Sequence, residues 1–110
     1  MAKKQEASKG KFTMVPNWVL RDDTGMLDCY DKVILVILMS YTNPEDKKTA
    51  WLGINRLKSQ CSCSSGRVTK SLKRLESIGL INIERRGRGR TNVYHLSDFT
   101  MLKWPPQKQG

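Results

Sequence analysis

Between Ser64 and Leu80 the chain reads SSGRVTKSLKRLESIGL, with Arg67, Thr69, Lys70, Lys73 and Arg74 inside eight positions and Glu76 as the sole acid. A guanidinium offers a planar fork of N–H donors that can meet two phosphate oxygens, or the O6 and N7 of guanine, at once; an ammonium is a compact point charge. A second basic group lies in RRGRGRT, residues 85–91, where Arg85, Arg86, Arg88 and Arg90 are interleaved with Gly87 and Gly89. These residues are equipped to hold a polyanion. No nucleophile–base pair, phosphate-cradling loop or carboxylate pair with supporting spacing stands beside them, so an enzyme is not expected.

The elements that position them follow from periodicity. Val68, Leu72 and Leu75 take the i, i+4, i+7 spacing of a buried helix face, and Ile78 and Leu80 continue the stripe. Ser64 or Ser65 can cap the helix and Gly79 can end it, which predicts an amphipathic helix over 64–79 with a cationic outer face. Ile54, Leu57 and Cys61 predict a short helix before it, joined by the tight connection Ser62–Ser64. After Gly79 the period falls to two. Ile81 and Ile83, then Asn92, Tyr94 and Leu96, predict a β-hairpin whose tip, Arg85–Thr91, holds the arginines.

Further upstream, Asp28 is a candidate N-cap for a long helix running DKVILVILMSYT, with Asp31 near the positive end of its dipole. Val33, Ile34, Ile37, Leu38 and Tyr41 form one face, and Leu35, Val36 and Met39 make the other apolar too. A helix apolar all round is covered on more than one side, by the N-terminal segment, the tail or another subunit; a homodimer is the expectation. In FTMVPNWVL, Pro16 excludes a central strand and leaves a short extended piece, then a turn of helix around Asn17–Arg21, with Trp18 and Leu20 covering the core. DDTG is a turn, NPEDKK a loop, and Thr49–Leu52 a very short strand whose Trp51 is expected in the core.

A chain of 110 residues builds one small domain. We expect a disordered basic arm over 1–11, the domain over 12–96, and a tail or linker over 97–110 that begins with a short helix at 98–102. The net charge is +10, and +8 of it falls between Arg56 and Arg90, where ten basic residues face only Glu76 and Glu84. Charge so concentrated points to nucleic acid first and an acidic membrane surface second. The N-terminus has no apolar signal region, and the longest apolar run, Val33–Met39, is far below the ~20 residues of a bilayer span. With three cysteines, this suggests a cytoplasmic protein with free thiols. Cys61-Ser-Cys63 and Cys29 do not follow a zinc pattern, so the first two read as small core hydrophobes and His95 as a strand surface residue. Neither a metal nor a cofactor is expected.

Short helix, tight turn, basic helix and basic-tipped hairpin, in that order, constitute a helix-turn-helix with a wing. The fold class expected is therefore α+β, a winged helix-turn-helix with a three-helix core and a C-terminal hairpin. The partner expected is double-stranded DNA, whose major groove admits one helix. Ser65, Arg67, Thr69 and Lys70 would face base edges, with Arg67 the best guanine reader. Lys73 and Arg74 would meet phosphates, and the hairpin arginines phosphate or the minor groove.

VPNWVL, DKVILVILMSY, WLGINRL, SSGRVTKSLKRLESIGLI and TNVYHL resemble the winged-helix domains of plasmid and phage replication initiators and replisome organisers. Similar small proteins act at plasmid transfer origins and in transcription. The resemblance covers most of 12–96. It implies DNA binding in replication or DNA processing and transfer, with Ser65, Arg67, Thr69, Lys70 and Lys73 on the recognition helix and Arg86, Arg88 and Arg90 on the wing. Arg74, Arg85 and Thr91 join them as candidates from their position. Two residues depart from the family pattern: Lys58 stands where alanine is usual, and Ser62 where the turn usually has glycine. A transcriptional repressor and a winged-helix protein-interaction module are the alternatives; a docking face should be partly apolar, whereas this one is cationic. RNA binding is a weaker third, for want of an evident base-stacking surface.

Overall fold

Each long helix starts where its sequence supplies a cap. The computed structural model describes residues 12–42, 48–87, 91–98 and 104. After a short helix α1 (Asn17–Leu20), helix α2 (Cys29–Ser40) opens on a reciprocal capping box. The Asp28 carboxylate accepts the Asp31 N–H at 2.8 Å, and the Asp31 carboxylate accepts the Asp28 N–H at 3.0 Å, so two otherwise orphaned donors are satisfied. Strand β1 (Thr49–Trp51) and helix α3 (Ile54–Cys61) follow, then helix α4 (Ser65–Ile78). Ser64 is the cap of α4, accepting the Arg67 N–H at 3.1 Å. Gly79 ends it at φ 97°, and the N–H groups of Gly79 and Leu80 both reach the Leu75 carbonyl.

Strands β2 (Ile81–Glu84) and β3 (Val93–Leu96) pair as the expected hairpin, and β1 adds to the far side of β3, giving an antiparallel sheet in the order β1-β3-β2. Ala50, Tyr94 and Ile83 lie abreast on the inner face, as do Leu96 and Ile81. They close the core with Ile34, Leu35 and Leu38 of α2, Leu57 of α3, and Val68, Leu72 and Leu75 of α4. This is an α+β, winged helix-like arrangement: α2, α3 and α4 pack together, and the β2–β3 hairpin flanks α4.

Three core assignments change. Trp51 is 55% exposed, not buried. In a three-residue strand only one parity can face inward, and small Ala50 fits opposite the fully buried Tyr94. Leu20 is exposed and Val19 takes its place in the core. On α2 the fully covered stripe is Asp31, Ile34, Leu35 and Leu38, an i, i+3, i+4, i+7 set turned toward α3 and α4, while Val33 is 44% exposed. Cys61 and Cys63 pack against the core as expected. Burial first, then the neighbouring Cys63 and Cys29 thiols, push the Cys61 thiol up to about 11, so it is protonated at neutral pH.

Trp104 returns to α1, where its ring stacks on Trp18 at 4.8 Å between centroids and its indole N–H donates to Asp22 Oδ1 at 2.8 Å. The readings made for the arm 1–11, the loop 43–47, the helix over 99–102 and residues 88–90 lie outside the described residues.

Ser62, between α3 and α4, has φ 58° and ψ 45°, the left-handed conformation that glycine adopts without a Cβ clash. It caps α3, and its N–H reaches the Lys58 carbonyl. Relief of this strain exceeds the added freedom of the unfolded chain, so Ser62→Gly should stabilise the fold by about 0.5–1 kcal/mol. Thermal unfolding checks this; an unchanged or lower Tm would show the turn to be unstrained.

Candidate nucleic-acid interface

Three sides of α4 face three different surroundings. Val68, Ser71, Leu72 and Leu75 are buried. Ser65, Gly66, Lys70, Lys73 and Ser77 are exposed, with Thr69 half-buried among them. Arg67 and Arg74, two turns apart, turn toward the start of α2. The Arg67 guanidinium lies 4.4 Å from the centre of the Tyr30 ring and 3.6 Å from Asp28 Oδ2. Arg74 Nε lies 3.4 Å from Asp31 Oδ2, and Asp31 is only 1% exposed. Both carboxylates are there because they cap α2. The six candidates on this helix therefore divide: Ser65, Thr69, Lys70 and Lys73 point outward, while Arg67 and Arg74 are engaged by α2.

The hairpin is fastened to the same helix. Arg85 forms a two-pronged ion pair with Glu76 of α4, at 3.3 and 3.4 Å. This hydrogen bonding holds the Glu76 carboxyl below its usual range, although burial works slightly the other way. Arg86 stacks over the outward-facing Trp51 indole, 4.9 Å from the ring centre. Thr91 is exposed at the start of the returning strand. Arg88 and Arg90 lie outside the described residues. The hairpin root thus meets α4 at Glu76, one turn beyond Lys73, whereas Arg86 lies with Trp51 on the outer face of the sheet. Two further exposed cations, Arg56 and Lys58, extend the basic surface onto α3. Lys58 points to solvent and so does not lie between the helices, where the family pattern has alanine.

No family model and no curated protein matches the sequence. Among solved structures the chain is similar to one described as the structure of a Rep–DNA complex, with a TM-score of 0.58 and 23% identity over 84% of this chain and 79% of that one. It is equally similar to one described as the N-terminal domain of a DNA-binding protein, with a TM-score of 0.57, the same 23% identity and the same coverage of 84% and 79%. The backbone is theirs in outline.

Sequence reasoning missed four supporting residues: Asp28 and Asp31 as partners of α4, Tyr30 beneath Arg67, and Trp51 beneath Arg86. The two acids were legible as caps, but nothing local says which helix crosses them. Outer-face Trp51 had one usable signal, the small Ala50 beside it, which fits a crowded interior better than an indole does.

The Arg74–Asp31 pair ties α4 to α2. Arg74→Ala leaves a buried carboxylate without its cation, and should cost about 2–3 kcal/mol of stability after allowance for the exposure of Arg74. Lys73→Ala, one residue away and exposed, should stay within about 0.5 kcal/mol of wild type. Denaturant titration of both separates them; equal stabilities would show that Arg74 is not structural.

Proposed function

We propose that this chain is a double-stranded DNA-binding domain that recognises a site through α4 and the adjoining wing, in plasmid or phage replication or in DNA processing and transfer. The observation that carries the reading is the contact of Arg85, at the root of the arginine-rich hairpin, with Glu76 of α4, one turn beyond the exposed Lys73. The likeness to a backbone described in a Rep–DNA complex supports the same reading.

In this mechanism the first turns of α4 enter the major groove, about 12 Å wide. Ser65 and Thr69 meet base edges with short, adaptable hydroxyls. Lys70 and Lys73 meet the flanking phosphates. Arg86, held by Trp51, and the following arginines at 88 and 90 grip the backbone or the adjacent minor groove, where guanidinium is favoured by narrow A·T tracts. Arg67 reaches a guanine only by leaving Asp28. Arg74 and Arg85 act as positioning residues. A transcriptional regulator would use the same geometry. A protein-docking role has less support, because the outward face of α4 is cationic and hydroxylic and lacks an apolar stripe. A homodimer joined through α2 draws support from Val33, an apolar side chain left 44% exposed on that helix.

Titration of duplex DNA at several salt concentrations tests the reading. With about five phosphate contacts, log K should fall against log salt with a slope near −4 to −5, and Lys73→Ala should flatten it by roughly 1. A response independent of salt would exclude this mode of binding. Sedimentation at high concentration, with and without DNA, should give a dimer; a monomer under both conditions would remove α2 as a subunit interface.

A further inference from the structure

Arg67 occupies the first turn of α4, the part of the helix that leads into a groove, yet its guanidinium is directed at α2. Its contacts differ in kind from those of Arg74. The Arg67 and Asp28 side chains are 33% and 40% exposed, and they approach no closer than 3.6 Å, longer than a well-formed charge-assisted hydrogen bond. The second contact is the Tyr30 ring, itself exposed at the surface. An exposed ion pair and a surface cation–π contact are each weak and displaceable. Asp28, by contrast, cannot follow the arginine away, because its other oxygen accepts the Asp31 N–H at 2.8 Å and caps α2.

We propose that Asp28 and Tyr30 form a latch that holds Arg67 off the DNA face, so that a duplex engages Arg67 only by displacing it from Asp28. The inference rests on the DNA-binding reading above and names its regulation. In the free domain the latch neutralises the first turn of α4. A duplex that offers Arg67 a well-placed bidentate acceptor displaces it, whereas one that offers only scattered phosphate gains less and leaves it docked. Asp28 thus acts as a specificity-determining competitor for its own recognition helix.

The test uses Asp28→Asn, since asparagine caps a helix about as well as aspartate and removes only the charge. Binding of the full chain to a duplex selected from a random pool is measured for wild type, Asp28→Asn, Arg67→Gln and the double variant, with circular dichroism to verify folding. Asp28→Asn should bind about threefold to tenfold tighter than wild type, as expected for loss of one weak surface contact. In the Arg67→Gln background the same substitution should change affinity by less than about 1.5-fold, because the effect runs through Arg67. Tyr30→Leu, which alters no charge, should tighten binding in the same direction by a smaller factor, again only when Arg67 is present; it carries the test alone should Asp28→Asn fail to fold. Equal tightening with and without Arg67 would make Asp28 a general repulsive charge and overturn the latch while leaving DNA binding intact, as would no tightening in either variant. Failure of wild type and variants alike to bind any duplex at low salt would overturn the DNA-binding reading, and the latch with it.

Discussion

The buried carboxylate of Asp31 is the constraint on which the arrangement of helices depends. A carboxylate at 1% exposure is tolerable only if its charge and lone pairs are met. Asp31 Oδ2 is met twice, by the Asp28 N–H and by Arg74 Nε. The first bond starts α2; the second lays α4 across it. One residue therefore couples a local event, helix capping, to a tertiary one, the placement of the helix that carries the basic face. The coupling has a cost, because Asp31 Oδ1 has no partner among the described residues. An apolar pair would pack there with less penalty but would not fix the angle of α4, since dispersion contacts are not directional whereas a guanidinium–carboxylate pair is.

The wing repeats this logic at smaller scale. A two-stranded hairpin projecting from a sheet edge has little to hold its direction. Here β3 is paired on both sides, and the hairpin root is fixed by Arg85 on Glu76 and by Arg86 on Trp51. The outer row of the sheet, Trp51–Val93–Glu84, explains why Val93 is buried although its parity points it outward: it is the middle residue of that row, with the indole on one side. Exposed Trp51 is thus a support placed where the strand leaves the sheet, and its role depends on the arginine above it.

Much of this was legible from local pattern. The helical stripe of α4, its Gly79 stop, the capping aspartates and the period-two hairpin each follow from residues within a few positions of one another, and the structure reproduces them. Distinctions that need a second element were not legible. Periodicity made all of α2 apolar but could not say that the Asp31–Ile34–Leu35–Leu38 stripe, and not Val33, would be covered. Three residues of β1 could not reveal which parity faced inward. A helical wheel put Arg67, Lys70, Lys73 and Arg74 on one polar surface, and only the crossing of α2 separates the two arginines from the two lysines.

That separation has a chemical reason. Arginine keeps its charge when partly desolvated and pairs in fixed planar geometry, so it serves as a tie; lysine holds its hydration and remains available at the surface. Among the described residues of the basic window, Arg67, Arg74 and Arg85 each face a carboxylate, while Arg56, Lys58, Lys70 and Lys73 are exposed without one and Arg86 faces only an aromatic ring. The positive charge left unpaired in the described part of the window is consequently smaller than the sequence charge implies, and three of its five carriers are lysines, compact and strongly hydrated point charges. Under the function proposed above, discrimination would fall to the short hydroxyls of Ser65 and Thr69 and to whatever guanidinium could be drawn back to the groove. Attraction and selection would be supplied by different residue types, and the acids that build the helix pair would decide how far they overlap.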